Sequence, residues 1–260
     1  MFQNLGVQLY TVRDYLTDPM LADFTFKRLA QMGYTEVQTA GNAFDAKTFG
    51  ELAAQNGLKI VGTHYDLKKI LNDPEETIEI HKMWGTTNIG IGGMPMPPRT
   101  DLGELKKFIA DFNRAAESYA KHGFKLTYHN HHFEFVRIDG YKTLMDILAE
   151  ELDPNNVSFV ADTCWISAGG ASVNAWLEKL AGRIDILHLK DLTVVHDNTV
   201  GIKPYLTEVG YGNLDWDSIL KTAEQIGVKH YVVEQDTNFT GSPFNSLGMS
   251  AEFLKKWIVK

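Results

Sequence analysis

Cysteine is nearly absent. Cys164 is the single one in 260 residues, which rules out an intramolecular disulfide and a thiolate zinc site and suits a reducing compartment. Basic residues are outnumbered, 25 Lys and Arg against 33 Asp and Glu, and the formal charge of −8 opposes a protein that grips nucleic-acid phosphates. A small, neutral substrate fits such a chain better. No apolar run reaches the roughly 18 residues of a membrane span. Met1-Phe2-Gln3-Asn4 also lacks the basic and apolar regions of a signal peptide, so a cytoplasmic protein away from membranes is expected. No glycine-rich phosphate loop follows any strand candidate, and Gly90-Ile91-Gly92-Gly93 is too loose for a dinucleotide fingerprint. There is no linker and no break in composition, and 44% hydrophobic with 22% charged residues is ordinary for a globular protein.

What the sequence does contain is an alternation. Strand patterns at Leu5–Tyr10, Glu36–Thr39, Leu58–His64, Asn88–Gly92, Phe124–Tyr128, Val157–Ala161, Ile184–Leu189 and His230–Val233 are each followed by a helical pattern. The helices are expected near 20–32, 46–56, from Asp73 onward, 102–122, 141–150, 172–181, 216–226 and 247–257, with Gly33, Gly57 and Gly123 as stops. Ile109, Phe112, Ala116 and Tyr119 make an apolar stripe on the longest of them. The stretch 193–213, rich in Gly, Pro and polar residues, is expected as a long connection of the kind that often forms an active-site lid. Eight strand-helix repeats in this length predict a single α/β domain over 1–260, a (β/α)8 TIM barrel, rather than an open doubly wound sheet.

The ends of those strands are unusual. Apolar runs stop at Asp162, at His188-Leu189-Lys190-Asp191, at Glu234, and at His129-Asn130-His131. Alternation places Val160 with Asp162, Ile186 with His188 and Lys190, and Val232 with Glu234 on the barrel-facing side, at the end where such barrels carry their active sites. A lone Asp or His at a strand end more often caps a helix, but Asp, His and Glu converging without Cys describe a divalent-metal site for Mn, Mg, Co or Zn. A fourth ligand is expected from the end of the fifth strand, where His129, His131 and Glu134 are the candidates. His64 is read as either a substrate contact or a satisfied loop histidine. Lys190 pairs with Asp191 or serves as a substrate-binding cation, the facing alternation favouring the second. Trp165 and Phe135 are candidates to stack on a sugar ring or to roof the core.

The residues then carry a resemblance. Gly6-Val7-Gln8-Leu9-Tyr10-Thr11-Val12-Arg13, Tyr128-His129-Asn130-His131-His132-Phe133-Glu134-Phe135, Leu187-His188-Leu189-Lys190-Asp191, Glu208-Val209-Gly210-Tyr211-Gly212 and Val233-Glu234-Gln235-Asp236 are similar to signatures of the xylose isomerase-like sugar phosphate isomerase/epimerase family. The resemblance spans the chain. It implies one divalent metal ion held by a fifth-strand acid with Asp162, His188 and Glu234, and proton transfer next to a sugar carbonyl through an enediolate. Relatives with ketose epimerase chemistry have a glutamate where alignment of strand ends puts His129. Glu134 is therefore expected to return as the ligand and, with Glu234, to move protons, while His129 and His131 act on protons or substrate. Gln8 and Asn130, inside these motifs, join His64, Lys190 and Trp165 as expected substrate contacts. A carbohydrate substrate and a possible homodimer are implied, with a lyase or dehydratase acting on a keto-sugar, a 3-keto-glycoside or an inosose as the alternative reaction. The barrel also resembles DNA-repair endonucleases with three zinc ions, which the acidic charge opposes, and a metal-free binding protein remains the distant reading. No Arg cluster offers a phosphate cradle.

Overall fold

The computed structural model describes residues 1–41 and 43–259. Its strands are β1 (Leu5–Gln8), β2 (Glu36–Thr39), β3 (Lys59–His64), β4 (Asn88–Ile91), β5 (Lys125–His129), β6 (Arg137–Asp139), β7 (Lys142–Thr143), β8 (Val157–Asp162), β9 (Ile184–Leu189), β10 (Asp191–Asp197), β11 (Gly201–Thr207) and β12 (His230–Val233). The pairs β6–β7 and β10–β11 are antiparallel, while the other eight strands are parallel and close in the order β1-β12-β9-β8-β5-β4-β3-β2. This is the (β/α)8 barrel that the alternation predicts.

Two cores result from the two faces of the strands. Val61, Val160, Ile186 and Val232 pack together inside the barrel as a separate apolar plug. Gly62 makes room for it, since a Cβ there would lie 2.5 Å from Ile186 Cδ1. The larger core lies between strands and helices, where the helix Leu102–Ala120 buries Leu105, Phe108, Ile109, Phe112, Ala116 and Tyr119 on one stripe. Capping fixes where helices begin: Asp18 Oδ1 accepts from the Met20 and Leu21 amides ahead of Pro19, and Asp101 Oδ1 accepts from that of Glu104. Among the described residues no helix is long and apolar enough to cross a membrane.

Several boundaries depart from expectation. The third helical region divides into Leu67–Asn72 and Pro74–Trp84, because Pro74 cannot continue a helix arriving from its N-terminal side. The helix expected at 141–150 starts at Leu144, behind a capping box of Thr143 and Asp146. The last helix starts at Pro243 after the Ser242 cap, earlier than the apolar spacing suggests. The stretch expected as a long loop is largely the β10–β11 hairpin. Its first strand contains the β-branched run Thr193-Val194-Val195, and its turn is closed by Asp197 Oδ1, which accepts from the amides of Thr199 and Val200 before Gly201 at φ +79°.

Below this hairpin Asp191 is fully buried, facing outward where its neighbour Lys190 faces inward. It accepts from the amides of Gly210 at 2.9 Å and Gly212 at 3.1 Å and from Trp216 Nε1 at 2.6 Å, so it ties the 208–216 segment to the barrel. Of the two readings of Lys190, the ion pair with Asp191 is not formed: Lys190 meets Asp162, Glu234 and Asp236 instead. Replacing Asp191 with Ala strands several buried donors and is expected to cost about 3 kcal/mol in urea unfolding. A loss below about 1 kcal/mol would show that the segment holds its place without it.

Candidate metal centre

His129 is the last residue of β5, Asp162 the last of β8, His188 lies one residue from the end of β9, and Glu234 directly follows β12. Each offers one ligand atom, and the four atoms lie within 4.8 Å of one another in a buried cluster. They converge because strand alternation turns each inward just above the apolar plug.

The hydrogen bonds around the two imidazoles define their tautomers. His188 Nε2 lies 2.5 Å from Gln38 Oε1, an atom that only accepts, so Nε2 carries the proton. That leaves Nδ1 as a lone pair, 3.1 Å from Glu234 Oε2 and 3.6 Å from Asp162 Oδ2. His129 Nδ1 lies 3.2 Å from the Gly92 carbonyl and its Nε2 3.4 Å from Asp162 Oδ2; donation from Nδ1 to Gly92 leaves Nε2 able to ligate. Two imidazole nitrogens and two carboxylates thus face one small volume, an arrangement that favours a positive charge at its centre. Without a metal, a proton takes that place on His188. Burial opposes its charge, but Glu234 and then Asp162 overcome burial and push its pKa up to about 9. Burial also opposes ionisation of Glu234, yet Lys190 and His188 hold it well below the usual carboxylate range. A divalent cation fits this sulfur-free set of two imidazoles and two carboxylates, with binding that weakens at low pH as protons compete.

Lys190 is the cluster's internal counter-charge. Its Nζ stands 3.0 Å from Glu234 Oε2, 2.6 Å from Asp236 Oδ2 and 3.7 Å from Asp162 Oδ2, and lies 4.6 Å over the Trp165 ring. Trp165 donates its backbone amide to Asp162 Oδ1 at 2.9 Å. Asn130 Oδ1 accepts from the Asp162 amide at 3.0 Å, so its carbonyl end positions a ligand. Gln8 Nε2 lies 3.2 Å from His64 Nδ1 while Gln8 Oε1 accepts from the Tyr10 amide, which puts the His64 proton on Nε2. Among the described residues, His64 Nε2, His131 Nδ1 and Trp165 Nε1 are buried without a partner. His64 and His131 both line a cavity of about 600 Å3 above the cluster. Burial and then His129 push the His131 pKa down to about 3, so this ring is neutral. Phe135 does not turn toward the cavity: its ring meets Trp176 edge-on and occupies the space beside Gly169.

The fifth-strand position differs from the expectation. Glu134 lies outside the group of four and His129 stands in it. The strand runs through His129, so its alternation turns His129 inward and Tyr128 outward. The 3-10 turn Phe133–Phe135 then folds Glu134 onto the Tyr128 side. There Tyr128 donates to Glu134 Oε1 at 2.6 Å and the His131 amide to Oε2 at 2.7 Å. Glu134 thereby holds the loop that carries His131. Gln38, which orients His188, carries no signal in the sequence, because β2 reads Glu36-Val37-Gln38-Thr39 and has no apolar run whose end would mark it.

A model of the xylose isomerase-like TIM barrel family matches residues 26–257. None of the curated proteins compared with the chain matches it. Among solved structures it is similar to a sugar phosphate isomerase/epimerase from Parabacteroides distasonis, at 23% identity and TM-score 0.79, covering 98% of this chain and 94% of that one. A probable 3-DHS dehydratase of petrobactin synthesis from Bacillus anthracis is 14% identical with TM-score 0.73, covering 97% and 98%. A D-allulose 3-epimerase from Methylomonas sp. is 15% identical with TM-score 0.70, covering 98% of each chain.

Two outcomes are expected here. In calorimetric titration with Mn2+, His129→Ala loses tight binding of about one ion per chain while Glu134→Gln keeps it; the reverse order would return Glu134 to the ligand set. Burial also pushes the Glu134 pKa up to about 8 from an ordinary value of 4.5. A raised carboxyl pKa favours the folded state below pH 4.5, and that contribution is lost as pH rises toward 8. The parent is therefore expected to lose more unfolding free energy between pH 5 and 8.5 than Glu134→Gln does, and parallel curves would refute the buried neutral carboxyl.

Proposed function

The chain belongs to the xylose isomerase-like TIM barrel family, and from that premise we propose that it is a divalent-metal-dependent isomerase or epimerase of keto-sugars. The observation that carries this reading is the convergence of two imidazole nitrogens with two buried carboxylates beneath an open cavity. The similarity to a sugar phosphate isomerase/epimerase and to a D-allulose 3-epimerase supports it.

His129, Asp162, His188 and Glu234 would hold a divalent ion, which would supply Lewis acidity toward a substrate carbonyl. The protein's own groups do the rest. Glu234, kept ionised by Lys190 3.0 Å away, is the base for the C–H beside the carbonyl. His64 Nε2 and Trp165 Nε1 are donors for sugar hydroxyls, and the unpaired His131 Nδ1 is the second group able to accept or relay a proton. Return of the proton to the neighbouring carbon isomerises the sugar, and return to the opposite face epimerises it.

A second reading has its own support. The end of β5 presents imidazoles, His129 and His131, where a second carboxylate base is expected for two-faced proton exchange. An imidazole there suits protonation of a leaving group, so the same enediolate would expel it, making the protein a lyase or dehydratase; the likeness to a probable dehydratase points the same way.

Both readings are tested by proton NMR of unphosphorylated ketoses in heavy water with Mn2+-loaded protein. Deuterium next to the carbonyl together with a new sugar, both lost in Glu234→Gln, is the expected result. Release of a substituent with an unsaturated or deoxy product would favour the lyase, and no exchange by Mn2+-bound protein would overturn both.

A further inference from the structure

Gln8 closes β1, is fully buried, and has both ends of its side-chain amide engaged inside the protein. Its Oε1 accepts from the Tyr10 amide at 3.2 Å, at the start of the 3-10 turn Leu9–Tyr15, and its Nε2 lies 3.2 Å from His64 Nδ1. An amide nitrogen only donates, so Nδ1 accepts, the ring is neutral, and its proton is on Nε2. Gly92 leaves the same part of the ring room to sit, since a Cβ there would stand 3.3 Å from Nδ1. The ring is held on its faces as well: it stacks on His129 with centroids 4.8 Å apart and leans on His188 at 5.6 Å. What remains is Nε2, buried and without a partner among the described residues, on a ring that lines the cavity above the cluster. An N–H fixed there has no lone pair to offer a cation. A buried donor is costly to leave unpaired, so its complement is an oxygen of the molecule that fills the cavity.

We propose that Gln8 is a positioning residue that locks His64 as a hydrogen-bond donor, reserving the ring for an oxygen of the bound ligand and withholding it from the metal. The ligand half of this rests on the keto-sugar reading above, whereas the tautomer stands without it. With the proton on Nδ1 instead, His64 would present a lone pair beside two of the four cluster residues and compete for their ion. With the proton on Nε2, the oxygen that gains negative charge when a neighbouring C–H is deprotonated meets a donor already in place. Gln8 therefore acts on the reaction through His64 and touches neither substrate nor ion.

The tautomer is read by 15N NMR of the metal-free protein labelled at histidine, with His64→Asn to assign the signal. The parent is expected to show a protonated Nε2 and a bare Nδ1, and Gln8→Glu, whose carboxylate accepts, the reverse. A parent protonated at Nδ1, or at both nitrogens, would overturn the proposal. Should Gln8→Glu fail to fold, Gln8→Met fills the same space with neither donor nor acceptor and is expected to give a mixture of tautomers; a proton still fixed on Nε2 would overturn the role of Gln8. Mn2+ binding is measured next by calorimetry, so that failure of the metal site is seen by itself and leaves the tautomer to decide. His64→Ala is expected to bind Mn2+ within about threefold of the parent. The last probe is acetohydroxamate, an anion whose two adjacent oxygens chelate a divalent ion. Its affinity for the Mn2+-loaded protein is expected to fall about tenfold in both His64→Ala and Gln8→Glu. Loss of Mn2+ binding in His64→Ala, or hydroxamate binding that is absent in the parent or unchanged by both substitutions, would overturn the proposal.

Discussion

The constraint on which this site depends is that two imidazoles and two carboxylates all converge on one buried point. Such a set repels itself unless a cation or proton sits among its members. The barrel holds it together through geometry outside the cluster. Gln38 reaches from β2 to fix His188, the Gly92 carbonyl fixes His129, and Lys190 brings a buried positive charge within 4.0 Å of both acids. Each partner is itself part of a strand or of the turn directly after one, so the tautomers are fixed by the closed sheet.

Alternation along a strand gives neighbouring residues opposite duties. Lys190 turns inward to balance the cluster, while Asp191 turns outward and gathers the donors of the segment after the hairpin. Tyr128 turns outward to meet Glu134, while His129 turns inward to the cluster. The Glu134 carboxyl is consequently buried, and burial raises its pKa. Its two hydrogen bonds tie the start of the 130–135 loop to β5, which places His131 at the cavity wall without Glu134 entering the cavity.

The apolar plug of Val61, Val160, Ile186 and Val232 closes the barrel beneath the cluster and keeps water from reaching it from below. Above it the cleft opens between Tyr10 and His131, and its acidic lining matches the overall negative charge of the chain. A cluster that is buried on one side and open on the other leaves room for a ligand to approach it.

The sequence by itself determined the barrel and the strand ends that carry Asp162, His188 and Glu234. Period-two apolar runs, glycine stops and abrupt polar termini are local signals, and each strand announces its own end. It also carried the alternation that separates Lys190 from Asp191. Tertiary structure alone decided that His129 and not Glu134 joins the cluster, because the difference turns on one residue of strand length and on a 3-10 turn that a pattern does not register. It alone decided that Lys190 meets Asp236 and Glu234, and that Gln38, 150 residues away, fixes the tautomer of His188. Those pairings join residues far apart in the chain, which closure of the sheet brings together and no local periodicity encodes.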